Sequence, residues 1–107
     1  MFESLLLAAT LVIPPPEAAP AVAAAKADAS KRFGVATELA RIERVTWRDG
    51  SLGCPRKDMA STQALVPGWR MTLVAGKRRL DYHASESGTV VYCPPGRSEQ
   101  PLPDSKT

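Results

Sequence analysis

An α+β fold, with one N-terminal helix followed by a three- to four-stranded antiparallel meander and one disulfide as its staple, is predicted by three observations. An alanine-rich segment with basic residues near its end stops at Gly34. Further along, runs of alternating apolar and polar residues are separated by glycine-containing turns. The chain has two cysteines, Cys54 and Cys93, downstream of an apolar N-terminal run.

The apolar run, Leu5-Leu6-Leu7-Ala8-Ala9-Thr10-Leu11-Val12-Ile13, is nine residues long, whereas a bilayer needs about 20. With the small-residue segment ending Ala23-Ala24-Ala25 it reads as an export signal, which puts a leader at residues 1–25, although Met1-Phe2-Glu3-Ser4 lacks the usual basic residue. A buried N-terminal helix is the competing reading, and Pro14-Pro15-Pro16 would stop it after little more than two turns. Export implies a periplasmic or secreted protein with no stable membrane span after processing. An oxidising compartment makes a Cys54–Cys93 disulfide the default. It would close 38 intervening residues and contribute about 4 kcal/mol, a large share of the stability of a small domain.

A single domain at 26–93 follows, of a size whose thin core benefits from a covalent clamp. Its first element is a helix over Ala21 to Phe33, with Lys31 and Arg32 in the last turn and Gly34 as the C′ residue. Leu39, Ile42 and Val45 recur every three residues, yet the segment ends in Val45-Thr46-Trp47; a strand over Arg41 to Trp47 is expected, with a bulge or an edge position.

The clearest strand is Trp69 to Ala75, where Trp69, Met71, Leu73 and Ala75 share one face. Gly76-Lys77 is a natural two-residue turn, and it sets Ala75 opposite Arg78, Leu73 opposite Leu80, Met71 opposite Tyr82 and Trp69 opposite Ala84. A four-residue loop at Ser85-Glu86-Ser87-Gly88 would then set Ala84 opposite Thr89, Tyr82 opposite Val91 and Leu80 opposite Cys93. In that register Cys93 is a core residue and His83 lies on the opposite, exposed face with Arg70 and Val90. After Cys93, Pro94 to Thr107 carries four prolines and polar residues and is expected to be a disordered tail, 94–107.

Composition narrows the function. Loss of Glu3 and Glu17 with the leader raises the net charge from +3 to +5 for a product beginning near Lys26. The basic residues are nonetheless dispersed, only Lys77-Arg78-Arg79 clusters, and there are just two each of Trp, Tyr and Phe, so a nucleic-acid surface is not expected. A nucleophilic cysteine needs a base within hydrogen-bond reach, and zinc needs about four converging ligands. With Cys93 and His83 on opposite faces, no catalytic, cofactor-binding or metal-ligating set emerges. The connection from Arg48 to Gly68 is longer than compact domains usually tolerate, has turn-formers at both ends and is pinned at Cys54. It is the candidate binding loop, with Arg56, Lys57, Gln63, Leu65, Val66 and Gly68 as candidate contacts.

The pattern Trp47-x-Asp49-Gly50-Ser51-Leu52-Gly53-Cys54-Pro55, then Pro67-Gly68-Trp69-Arg70, then Tyr82-His83 and a closing Cys93, resembles a family of small exported bacterial proteins, often lipoproteins, with no established function. The resemblance spans about residues 35 to 94. Relatives usually have Pro where this chain has Arg48, and Pro-Gly where it has Arg56-Lys57-Asp58. The order of helix and meander is also similar to cystatin-like and PepSY-type domains. Cystatins wedge a Gln-x-Val-x-Gly loop into a protease cleft, and Gln63-Ala64-Leu65-Val66-Pro67-Gly68 is one residue too long to match. The expected function is therefore a non-enzymatic binding or envelope accessory module with a protein partner in the cell envelope. A cystatin-like protease inhibitor and an enzyme using His83 are the alternatives.

Overall fold

The computed structural model describes residues 12–56 and 62–103. A 3₁₀ turn at Pro16–Ala18 leads into helix α1 (Ala19–Phe33), followed by strands β1 (Glu38–Trp47), β2 (Val66–Ala75), β3 (Arg78–Ser85) and β4 (Val90–Tyr92). The four strands form one antiparallel sheet in the order β1-β2-β3-β4. The predicted fold class is the observed one, including the Cys54–Cys93 disulfide, whose Cα atoms are 5.7 Å apart.

α1 starts earlier than expected. Pro20 sits at the first turn, where its missing N–H costs nothing, and the helix ends at Gly34, whose N–H donates to the Ser30 carbonyl at 2.8 Å. Ala18, Ala21, Val22, Ala25 and Ala29 are spaced three or four residues apart and are buried against Trp69, Met71, Leu73, Leu80, Tyr82 and Ala84. Residue 26, the expected start of the domain, lies within α1, and Ala18, Ala21, Val22 and Ala25 of the expected leader are buried against the sheet. Residues 1–11, which hold most of the apolar run, lie outside the described residues.

β1 begins at Glu38 rather than Arg41, and its pairing with β2 shifts between Leu39 and Arg41, a bulge at Ala40 that sets Leu39 and Ile42 on the helix side, whereas Val45 belongs to the opposite face. Beyond the bulge, Ile42 pairs with Met71 and Trp47 with Val66. The β2–β3 hairpin has the register derived from Gly76-Lys77, from Ala75 opposite Arg78 to Trp69 opposite Ala84.

The β3–β4 register is one residue away from expectation. Ser85 pairs with Thr89, its N–H donating to the Thr89 carbonyl at 2.9 Å and its Oγ accepting the Thr89 N–H at 3.2 Å, so the loop is the three residues Glu86-Ser87-Gly88. Gly88 makes this possible by taking φ +103°. Tyr82 consequently faces Tyr92, and His83 faces Val91. A one-residue slip turns a strand over: Val90 and Tyr92 pack on the helix side, while Val91 lies beneath the second face. Cys93, whose N–H donates to the Asp81 carbonyl at 2.8 Å, follows Val91 to that face.

The second face is not open at this end. Val45, Trp47 and Leu52 form a second buried cluster there with Val66 and Val91 packed on it. The segment expected as a disordered tail contributes to this layer. Glu99 N–H donates to the Gly53 carbonyl at 2.7 Å and Leu102 N–H to the Thr46 carbonyl at 3.0 Å, so residues 94–103 form a strap laid across β1 and the 49–54 turn. Residues 104–107 lie outside the description. His83, expected to be exposed, is buried at 0% relative exposure because turn and strap together supply the layer that the strand pattern alone did not disclose.

Candidate functional site

Trp47 organises the covered end of the second face. Its Nε1–H crosses the sheet to the Ala84 carbonyl at 3.1 Å, and its ring stacks on the His83 imidazole, centroids 4.4 Å apart at 21°. The backbone of Gly53 lies against the indole: a β-carbon there would collide with the ring edge, and the residue takes φ +70°. Two successive turns deliver Gly53 to this place, Leu52 N–H to the Asp49 carbonyl at 3.2 Å and Cys54 N–H to the Ser51 carbonyl at 3.0 Å. Asp49 stabilises the first by accepting both the Ser51 N–H at 2.9 Å and the Ser51 hydroxyl at 2.6 Å. Those two hydrogen bonds, the hydroxyl first, hold its carboxyl below the usual range.

His83 Nδ1 lies 2.6 Å from the Leu52 carbonyl oxygen, so this nitrogen carries the proton that is donated. Nε2 faces the Asp81 carboxylate at 3.2 Å and the Ser98 hydroxyl of the strap at 3.4 Å. With both nitrogens engaged inside the protein and the ring enclosed, the histidine is a support between turn, sheet and strap. The residues Trp47, Asp49, Leu52, Gly53, Cys54, His83 and Cys93, singled out above as one pattern, meet in this single knot. Among the described residues no three His, Cys, Asp or Glu side chains gather as a metal site.

The candidate loop residues separate into four groups. Val66 and Gly68 are strand residues rather than loop: Val66 pairs with Trp47, and Gly68 lies between Val45 and Ser85, where a side chain would strike the Ala84 carbonyl. Gln63 and Leu65 are exposed, Leu65 by 59%. Their connection is tied back by the Gly50 N–H donating to the Thr62 carbonyl at 2.9 Å. Lys57 lies outside the described residues. Arg56 lines a cavity.

That cavity is a groove of about 450 Å³ beside the short edge strand β4, with Arg32, Arg56 and Arg97 around it and Val90 and Tyr92 in its wall. The three arginines come from the end of α1, the chain just after Cys54 and the strap, and among the described residues no acidic side chain lines the groove. Arg32 is positioned by Asp28 one turn earlier, Nε to Oδ2 at 2.9 Å, with its guanidinium 5.6 Å from the Tyr92 ring centre. Asp28 also accepts the Tyr82 hydroxyl at 2.7 Å. The Arg32 contact is the main cause holding the Asp28 carboxyl below its usual range, while burial, then Asp28, pushes the Tyr82 hydroxyl up. Arg32 and Arg97 were not among the sequence candidates. Nothing in spacing links residues 32, 56 and 97; only the disulfide and the strap bring them together.

No helix among the described residues is long and apolar enough to cross a membrane. The profile of a family described as a domain of unknown function, DUF8738, matches residues 22–93. No curated protein and no solved structure matches the chain.

Proposed function

We propose that this chain, which belongs to the DUF8738 family of domains of unknown function, is a non-enzymatic binding module of the cell envelope that takes an extended acidic segment of a protein partner at the groove beside β4. The observation that carries this reading is the convergence of Arg32, Arg56 and Arg97 from three separate elements on a groove that no acidic side chain among the described residues lines. Guanidinium groups bind carboxylates through two parallel hydrogen bonds. The strand beside them is receptive to extended backbone. Thr89 and Cys93 direct their hydrogen bonds toward β3, so the alternate residues Val90 and Tyr92 turn theirs to the outer edge, the arrangement used when a peptide adds to a sheet. A disulfide-pinned groove also binds with little ordering cost. Export, read from the apolar leader, would bring the domain to an oxidising compartment.

The alternatives have less behind them. An enzyme using His83 would need substrate to reach an enclosed ring whose nitrogens already have partners. A cystatin-like wedge would need Val66 and Gly68 free, and both are paired in the sheet.

The test is capture of an oligoglutamate peptide by the immobilised domain at low and moderate salt. Binding is expected to weaken with salt and to fall about tenfold or more in an Arg56→Gln/Arg97→Gln double variant. Equal binding by that variant and the parent would overturn the reading.

A further inference from the structure

The half of the second sheet face that the strap leaves uncovered holds a separate feature. Arg41 and Glu43 of β1, Arg70 and Thr72 of β2, and Arg79 and Asp81 of β3 enclose a well of about 290 Å³. The register explains its shape. Thr72 stands between Arg41 and Asp81 in one cross-strand row, so a short side chain forms the floor among five long or charged ones.

The charges around it are not balanced. Arg41 is engaged by Glu43 at 3.0 Å, and Asp81 faces His83 at 3.2 Å. Arg70 donates to the uncharged Gln100 of the strap at 3.2 Å. Among the described residues, no carboxylate lies within ion-pair distance of Arg70 or Arg79. Glu43 is thus partnered by Arg41, and Asp81 stands beside the Nε2 of a histidine whose proton is on Nδ1, while among the described residues Arg70 and Arg79 line the well beside Thr72 without an ion-pair partner.

We infer that this well binds a small molecule through one oxyanion group, a carboxylate or a phosphate, held by Arg70 and Arg79 with Thr72 as a further hydrogen-bond donor. All three residues stand on paired strands, which fixes the backbone positions from which the donors reach the well. Glu43 and Asp81 remain at the rim and repel further negative charge, which favours a single anionic group over a polyanion. The site shares no residue with the groove beside β4 and stands independently of the function proposed for it.

The experiment is a titration of the isotope-labelled protein by NMR at constant ionic strength, with inorganic phosphate in one arm and acetate in the other. Saturable shifts are expected at the Thr72 amide, at the Nε–H groups of Arg70 and Arg79, and at the side-chain amide of Gln100, which shares Arg70. The arm that saturates identifies the group. Arg79→Gln and Arg70→Gln, each with an otherwise native spectrum, are expected to weaken binding about tenfold, and Lys31→Gln, an exposed change in the last turn of α1, to leave it unchanged. Absence of saturation in both arms, or parental affinity in the Arg70 and Arg79 variants, would overturn the proposal.

Discussion

Leu52 takes φ +58°, a conformation that costs a residue with a β-carbon about 1 kcal/mol or more. The hydrogen bond from His83 Nδ1 to its carbonyl helps offset that strain. Removing the imidazole leaves a buried carbonyl without its donor and opens a hole beneath Trp47. His83→Ala is therefore expected to destabilise the domain by about 2–4 kcal/mol in urea unfolding. This reverses the tolerance that an exposed histidine would imply. Asp28 offers a residue-scale test by pH. Its carboxyl titrates lower in the folded than in the unfolded chain, chiefly through Arg32, so its stabilising effect is complete above the ordinary carboxylate value of about 3.9 and is lost as pH falls through the lower folded value. Asp28→Asn should flatten that part of the acid limb in a comparison of unfolding midpoints between pH 5 and 2.

Among the elements, the β2–β3 hairpin was legible because alternation and a two-residue turn each specify register, and they agree from Trp69 to Ala75. Loops of three and four residues around Gly88 look alike in sequence. The choice between them rests on the Ser85–Thr89 pair, and with it the facing of Val91 and Cys93. Gly88→Ala is expected to cost about 1 kcal/mol or more, because a β-carbon strains this backbone although space is open around it. Met71→Asp should unfold the domain, since Met71 lies wholly within the helix-side core, whereas Thr72→Asp, its side chain in the arginine-lined well, should leave thermal unfolding nearly unchanged. Similar melting temperatures for the two variants would contradict the facing described. The early start of α1 is not legible in the sequence, because a row of small residues suits both a leader and a helix lying close against a sheet.

At the scale of the whole molecule, the sheet is covered on one side by a helix and at one end of the other by segments distant in sequence. A strand's alternation reports that one face is apolar, but not that a turn at 49–54 and a strap at 94–103 will shelter the opposite one; hence the misplaced His83. The arginine groove was illegible for the same reason, since Arg32, Arg56 and Arg97 become neighbours only through tertiary packing. Two measurements address this assembly. The unfolded, unreduced protein should present no thiol to titration, and reduction should lower stability by about 4 kcal/mol. Deleting residues 96–107 should red-shift tryptophan emission and lower stability by about 2–4 kcal/mol, because the contacts of Ser98, Glu99, Gln100 and Leu102 go together.

The strap also sets an order of events. Each strand pairs with its sequence neighbour, so the meander and α1 can assemble from local contacts as synthesis proceeds. Cys93 then emerges, and the disulfide can close. The cover over Trp47 follows, in the ten residues after Cys93 that lie beyond the family's matched span. A nascent chain stalled before Ser98 would hold a paired sheet with its indole still wet, and emergence of the strap would coincide with drying of its second core.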